Sequence, residues 1–294
     1  MKIFITGATG FIGKYLVAKF LDEGNFVTIN LRNEKKSPFD INQVNTYSLN
    51  YEDIEGDIQF FKREKFDGII HLASLYITTH TPADINKLIE SNIKLGSHIL
   101  ECATQANVKW FINTGTFWQN YENAVYSPVN LYAATKQAFE SIAQYYIDTD
   151  KIKFVTLRLC DTYGPNDTRS KIFNLWNRVA KTGEILDMSP GEQLIDISYI
   201  DDVISAFTLL ANQLNDNNTI IVNGSVYAVR AQKRYTLKQL KDIFEKSTHS
   251  KLKINWGTRP YRDKEVMIPW ENGAVVPGWR PLIDIENGIK KIFE

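Results

Sequence analysis

The chain has 294 residues, 44% of them apolar and 12% aromatic, which is enough to bury a full core without disulfides or structural metals. Lys+Arg and Asp+Glu both number 34, so the formal net charge is zero, and nucleic acid is not an expected partner because phosphate neutralisation needs a basic excess on some face. The two cysteines, Cys102 in an apolar helical stretch and Cys160 in a strand-like run, have neither metal-ligand spacing nor a disulfide framework, so both read as packing residues in a reducing compartment and no metal is expected.

The opening MKIFITGATG runs straight into a fold motif, and no later segment is long and apolar enough for a membrane span. The expectation is a cytoplasmic protein with no signal peptide and no membrane partner. Residues 3–6 form a short β-prone run, and Ile12, Leu16, Phe20 and Leu21 recur at helical spacing until Gly24 stops the helix. Strand signals follow at 26–31, 46–49, 68–73, 110–113 and 154–160, separated by helical patterns such as 86–106 and 132–146. Alternation of this kind implies βαβ units with right-handed crossovers, hence a doubly wound α/β fold with a parallel sheet covered by helices on both faces. After Tyr163-Gly164-Pro165 the texture changes, with turn signals at 189–191, 215–218, Pro269 and Pro277-Gly278. The reading is a dinucleotide-binding domain over 1–165 and a smaller C-terminal α/β substrate lobe over 166–294, with some later elements returning to the first sheet.

The first strand leads into Thr6-Gly7-Ala8-Thr9-Gly10-Phe11-Ile12-Gly13 and then a helix. Gly7 permits the tight turn, Gly10 lets the backbone approach a pyrophosphate, and Gly13 lets the helix pack against the strand, as in a Rossmann-type dinucleotide site. At the end of the second strand, where an NAD enzyme places an acid for the ribose hydroxyls, this chain has Leu31, followed by Arg32, Lys35 and Lys36. That charge suits a 2′-phosphate, so NADP(H) is expected over NAD(H); the competing reading is a solvated basic loop.

Tyr132 and Lys136 in YAATK project from one face at the start of a helix, and an ammonium near a phenol favours the phenolate. Upstream, Thr114 and Thr116 end a strand at the carboxyl edge, where ligands bind in such sheets.

GATGFIG, HLAS (71–74), the strand end at 114–116, YAATK, RLCDTYGP (158–165) and YIDDV (199–203) come in the order found in extended short-chain dehydrogenases/reductases of the NAD-dependent epimerase/dehydratase family, which the chain resembles over nearly its whole length. The resemblance implies that Tyr132 donates the proton to a sugar oxygen, that Lys136 lowers its pKa and holds the nicotinamide ribose, and that Thr116 polarises the carbonyl. It implies coenzyme contacts from Gly7, Thr9, Gly10, Phe11, Ile12, Leu72 and Ala73, with Asn92 on the nicotinamide side, and a homodimer formed through two helices. His71 reads as a core residue rather than a base.

Family members that dehydrate sugars follow the polarising Thr with Asp and Glu, whereas Thr116 is followed by Phe117 and Trp118. Dehydration is disfavoured, and the two aromatics read either as an apolar wall for a deoxy sugar or as core. The stretches INTGTFW, YAATK and GEQLIDISYIDDV are especially similar to synthases of CDP-abequose and CDP-paratose, with dTDP-4-keto-6-deoxyhexose reductases as close cousins. The resemblance thus implies NADPH-dependent reduction at C4 of a CDP- or dTDP-linked 4-keto sugar. Arg262 matches a family arginine that grips the diphosphate and Glu265 an acid near the ribose, the alternative for Arg262 being a surface arginine in a charged loop. Where relatives often read QxRDF this chain has Gln193-Leu194-Ile195-Asp196-Ile197, which leaves the nucleotide open. Two other readings stand beside the reductase: a nucleotide-sugar epimerase, and a dinucleotide-sensing regulator without catalysis.

Overall fold

A computed structural model describes residues 1–31, 38–40, 42–216 and 219–293. In chain order its elements are β1 (Lys2–Thr6), α1 (Phe11–Asp22), β2 (Phe26–Asn30), β3 (Asn45–Tyr47), α2 (Ile54–Glu64), β4 (Gly68–His71), α3 (Ile85–Ile89), α4 (Leu95–Gln105), β5 (Trp110–Thr116), α5 (Leu131–Asp148) and β6 (Lys153–Leu159). Then come β7 (Asp161–Tyr163), α6 (Ile172–Thr182), β8 (Ile185–Met188), β9 (Leu194–Ile195), β10 (Ile197–Tyr199), α7 (Ile200–Asn215), β11 (Val226–Val229), β12 (Tyr235–Thr236), α8 (Leu237–Thr248), β13 (Lys253–Trp256) and α9 (Ile285–Phe293).

The central sheet has seven strands in the order β11-β6-β5-β4-β1-β2-β3, and every pairing in it is parallel. The chain builds outward from β1 to β3, then returns to the other side of β1 with β4 and builds toward β11. The strand order therefore reverses between β1 and β4, and the crevice beyond their carboxyl ends is where such sheets receive ligands. This is the Rossmann-type α/β fold read from the alternating pattern.

Strand side chains alternate between two separate cores, as the period of two demands. Ile3, Ile5, Ile70, Trp110, Ile112, Val155 and Leu157 face α1 and α7 in one, while Phe4, Ile69, Phe111 and Phe154 face α2, α4 and α5 in the other. Two boundaries differ from the sequence reading in ways that matter. β5 runs on past Asn113 because Thr114, Gly115 and Thr116 stay in register with Leu157, Arg158 and Leu159, so both threonines belong to the strand tip itself. The helix expected over 86–106 is present but carries a π turn at Glu90–Lys94, inside which Asn92 is fully buried. Such turns occur often at functional sites.

Behind the tip of β5 lies a buried ionic network. Arg158 Nη2 meets Glu140 Oε2 at 2.7 Å, with side chains 7% and 9% exposed, and Arg158 Nη1 donates to Asn120 Oδ1 at 2.6 Å. Gln119 completes it, donating to Glu140 Oε1 while its own Oε1 accepts the Thr116 N–H, each at 2.9 Å. Removing one member of a desolvated pair strands the other charge. Arg158→Met should lower unfolding free energy by about 3–5 kcal/mol in urea titrations; a loss under about 1 kcal/mol would mean the pair is solvated or dispensable.

Candidate active site

The turn after β1 is built by close approach. Gly7 has φ +70°, and a Cβ on it would lie 2.6 Å from the Ala73 nitrogen and 2.8 Å from the Leu72 carbonyl carbon, so the loops after β1 and β4 touch there. A Cβ on Gly13 would come within 2.6 Å of Ala8 Cα, which keeps α1 against the turn. Thr9 and Gly10 are exposed, Phe11 and Ile12 begin the helix, and no side chain caps it. Its first-turn N–H groups are thus open to an anion, in a cradle with no room for side chains. These residues fit a dinucleotide pyrophosphate.

Thr6 Oγ1 accepts the Ala73 N–H at 3.1 Å and bonds His71 Nδ1 at 2.8 Å, tying the two loops from below. His71 is fully buried; burial first, then the nearby Lys136 charge, pushes its pKa down to about 3. The imidazole is therefore neutral and structural.

Asn130 caps α5 by accepting the Ala133 N–H at 3.0 Å, and its Nδ2 donates to the Thr78 carbonyl at 2.9 Å. Tyr132 and Lys136 follow on one face. Asn92 uses all of its hydrogen-bonding capacity within the protein: Oδ1 accepts from Leu75 N (2.7 Å) and Ser74 Oγ (3.1 Å), and Nδ2 donates to the Leu75 carbonyl and Thr135 Oγ1, each at 3.0 Å. Thr135 Oγ1 in turn donates to the Tyr132 carbonyl at 2.7 Å. Asn92 thus clamps the loop after β4 to the turn bearing Tyr132.

Half-buried Tyr132 has the hydroxyls of Ser74 and Thr116 beside its phenol, and both favour the phenolate. Its pKa is nonetheless raised, by burial above all and then by Tyr76, with Asp161 adding and the two hydroxyls opposing. Lys136 is 1% exposed and its Nζ has no hydrogen-bond partner among the described residues; burial lowers its pKa to about 8 against the pull of Glu140. In the protein alone, burial and the neighbouring Tyr76 act on the phenol in the direction opposite to the one expected from Lys136. Thr114 Oγ1 is likewise buried without a partner.

A cleft of about 490 Å³ brings these groups together, with Ile12 and Leu72 at the glycine-loop end and Thr114, Thr116, Tyr132 and Lys136 at the other. Phe117 and Trp118 also face it, and both pack into a small cluster with Ala133 and Cys160, so they are wall and core at once. Tyr76, exposed at the rim, sits edge-on to Tyr132 with centroids 5.1 Å apart. Sequence reasoning missed Ser74, Tyr76, Asp161, Arg169 and Lys171, all of which line this cleft. Ser74 and Asp161 follow strands β4 and β6 directly, which was the available signal. Lys171 Nζ pairs with Asp161 Oδ1 at 2.8 Å and lies 4.9 Å from the Tyr76 ring centre.

Arg262 and Glu265 are brought to each other. The guanidinium grips the carboxylate through Nε and Nη2 at 2.9 Å each and lies 5.7 Å from the Trp118 ring centre. Arg32, Lys35 and Lys36 lie outside the described residues. Among the described residues no helix is long and apolar enough to cross a membrane.

The chain belongs to the NAD dependent epimerase/dehydratase family, whose model matches residues 3–224. It is similar to a protein named CDP-abequose synthase from Salmonella muenchen, with 32% identity over 99% of this chain and 97% of that one. The CDP-abequose synthase of Yersinia pseudotuberculosis is 29% identical, over 92% of each chain. Among solved structures, the UDP-glucose 4-epimerase of Thermotoga maritima, determined with UDP-glucose, superimposes with a TM-score of 0.83 at 21% identity, covering 100% of this chain and 97% of that one.

Asn92→Leu should free the Leu75 and Ser74 segment, speeding amide exchange at Leu75 and lowering stability by about 1–3 kcal/mol, since buried partners are left unpaired. Unchanged exchange at Leu75, measured by hydrogen–deuterium mass spectrometry, would contradict the clamp.

Proposed function

We propose that the chain is an NADPH-dependent reductase of the C4 keto group in a nucleotide-linked 4-keto-deoxyhexose, CDP- or dTDP-linked, serving the synthesis of surface-polysaccharide sugars. The observation that carries this reading is one cleft that brings the Tyr132 phenol, the Thr116 hydroxyl and the buried Lys136 together with Ile12 and Leu72 from the glycine-loop end. The CDP-abequose synthase names of the relatives support the substrate class. Preference for the phosphorylated coenzyme rests on Leu31 and Arg32 in the sequence.

When bound, NADPH supplies the hydride. Thr116, with Thr114 behind it, donates a hydrogen bond to the carbonyl oxygen and polarises it. Charge builds on that oxygen as C4 is reduced, and Tyr132 gives it a proton, leaving a phenolate that the Lys136 ammonium stabilises. The protonated phenol is the form an acid needs in this direction, and it loses its proton only as the sugar oxygen takes it. Lys136 and the open first-turn amides of α1 would hold the coenzyme. Phe117 and Trp118 stand where a dehydratase of the family carries its acid and base, and neither can serve as that acid or base; the apolar Phe117 ring suits a sugar position lacking a hydroxyl. We further propose the division at residue 165, a nucleotide-binding role for the C-terminal lobe with Arg262 exchanging Glu265 for phosphate, a cytoplasmic location and a homodimer.

With a 4-keto nucleotide sugar, one NADPH should disappear per product formed, read at its nicotinamide absorbance, and Tyr132→Phe should slow turnover by about 10²–10⁴-fold. Product formed without coenzyme loss would make the enzyme an epimerase. Because Lys136 gives up its proton near pH 8 whereas Tyr132 keeps its own, kcat/KM should decline on an alkaline limb near pH 8. A flat profile through pH 9 would contradict that role for Lys136.

A further inference from the structure

Arg169 stands on the segment between β7 and α6, in a part of the sequence that gave no signal for a ligand contact. Its guanidinium lies over the ring of Phe11, the first residue of α1, 4.3 Å from the centroid. Four hydrogen bonds fix its plane. Nε and Nη2 each meet an Asp167 carboxylate oxygen at 2.8 Å, and Nη2 also donates to the Thr162 carbonyl at 2.9 Å and to Thr162 Oγ1 at 3.1 Å. The backbone is pinned as well: Asn174 on α6 donates to the Arg169 carbonyl at 2.9 Å, and Tyr15 Oη donates to the Pro165 carbonyl at 2.7 Å.

This arrangement leaves one edge of the fork unused. Nη1 makes no hydrogen bond to any described residue, while Arg169 and Ile12 line the same cleft as Tyr132 and Lys136. A guanidinium stacked on an aromatic ring, with three sides held and one donor edge open, is pre-organised for a phosphate oxygen. Its platform, Phe11, belongs to the helix turn whose N–H groups are open.

We propose that Arg169 is a diphosphate-binding residue, contacting through Nη1 the pyrophosphate of the dinucleotide held at the start of α1. The proposal rests on the coenzyme reading of the glycine loop. Two diphosphates enter a cleft of this kind, that of the coenzyme and that of a nucleotide sugar; the Phe11 platform places Arg169 with the former.

Calorimetry on the full chain separates these possibilities. Arg169→Gln should weaken NADPH and ADP-ribose roughly tenfold, the loss of one charge-assisted contact, and leave adenosine 2′-monophosphate, CDP and dTDP within about twofold. Weakened CDP or dTDP binding with ADP-ribose unchanged would overturn the assignment in favour of the sugar nucleotide. Equal affinity for every probe would also overturn it, as would a uniform loss that includes adenosine 2′-monophosphate, which marks a role in folding alone. Should the variant not fold, phenylglyoxal modification of the wild-type protein with peptide mass mapping decides: ADP-ribose should protect Arg169, and absence of protection overturns the proposal. A wild-type protein that binds neither NADPH nor ADP-ribose would bring down the coenzyme reading itself, an outcome distinct from those above.

Discussion

Lys136 carries an amino group into the interior, 1% exposed, and has no hydrogen-bond partner there among the described residues. An ammonium in that position is costly, and burial lowers its pKa to about 8 as a result. The fold tolerates it because α5 is capped by Asn130, backed by the Arg158–Glu140 pair and packed through Phe139 and Ala143. Strain of this sort makes sense when a ligand relieves it: the vacant donors of Lys136 and the unpaired hydroxyl of Thr114 border the same cleft as the glycine turn.

The parallel sheet explains why these groups meet at all. Reversal of strand order between β1 and β4 opens one crevice, and each loop feeding it is fastened by a polar side chain from a neighbouring element. Thr6 joins the loop after β4 to β1, Asn92 joins it to α5, and Gln119 holds the Thr116 amide against Glu140. Reactive side chains are thereby positioned by buried hydrogen bonds rather than by loop packing, which is the condition for holding reacting atoms in line.

Much of this was legible in the residues. Strand and helix alternation, a glycine triad between the first pair, and a Tyr and Lys one helical turn apart after a Thr-bearing strand specify a dinucleotide fold and a polar cluster, because each feature is local. What escaped was set by topology or by burial. Arg169 and Lys171 reach the cleft only because β7 follows β6 across the strand ends, and nothing in their spacing announces it. Coulomb reasoning on YAATK anticipated a depressed phenol pKa, yet both groups are desolvated and the phenol rises. The π turn around Asn92, which directs its amide into a loop clamp, had no signal in the sequence. The ion pair of Arg262 with Glu265, three residues apart on one loop, was likewise not read from the sequence.

Substituting Lys136 by Met tests the role of its buried amine most directly, since Met fills a similar volume without the charge. The free protein should become more stable, by about 1–3 kcal/mol in equilibrium denaturation, because an unpaired buried group is gone. The same variant should bind NADPH at least roughly tenfold more weakly, because the coenzyme contact proposed for Lys136 goes with it. A Lys136→Met protein that is less stable without coenzyme and binds it as tightly as the wild type would contradict the account.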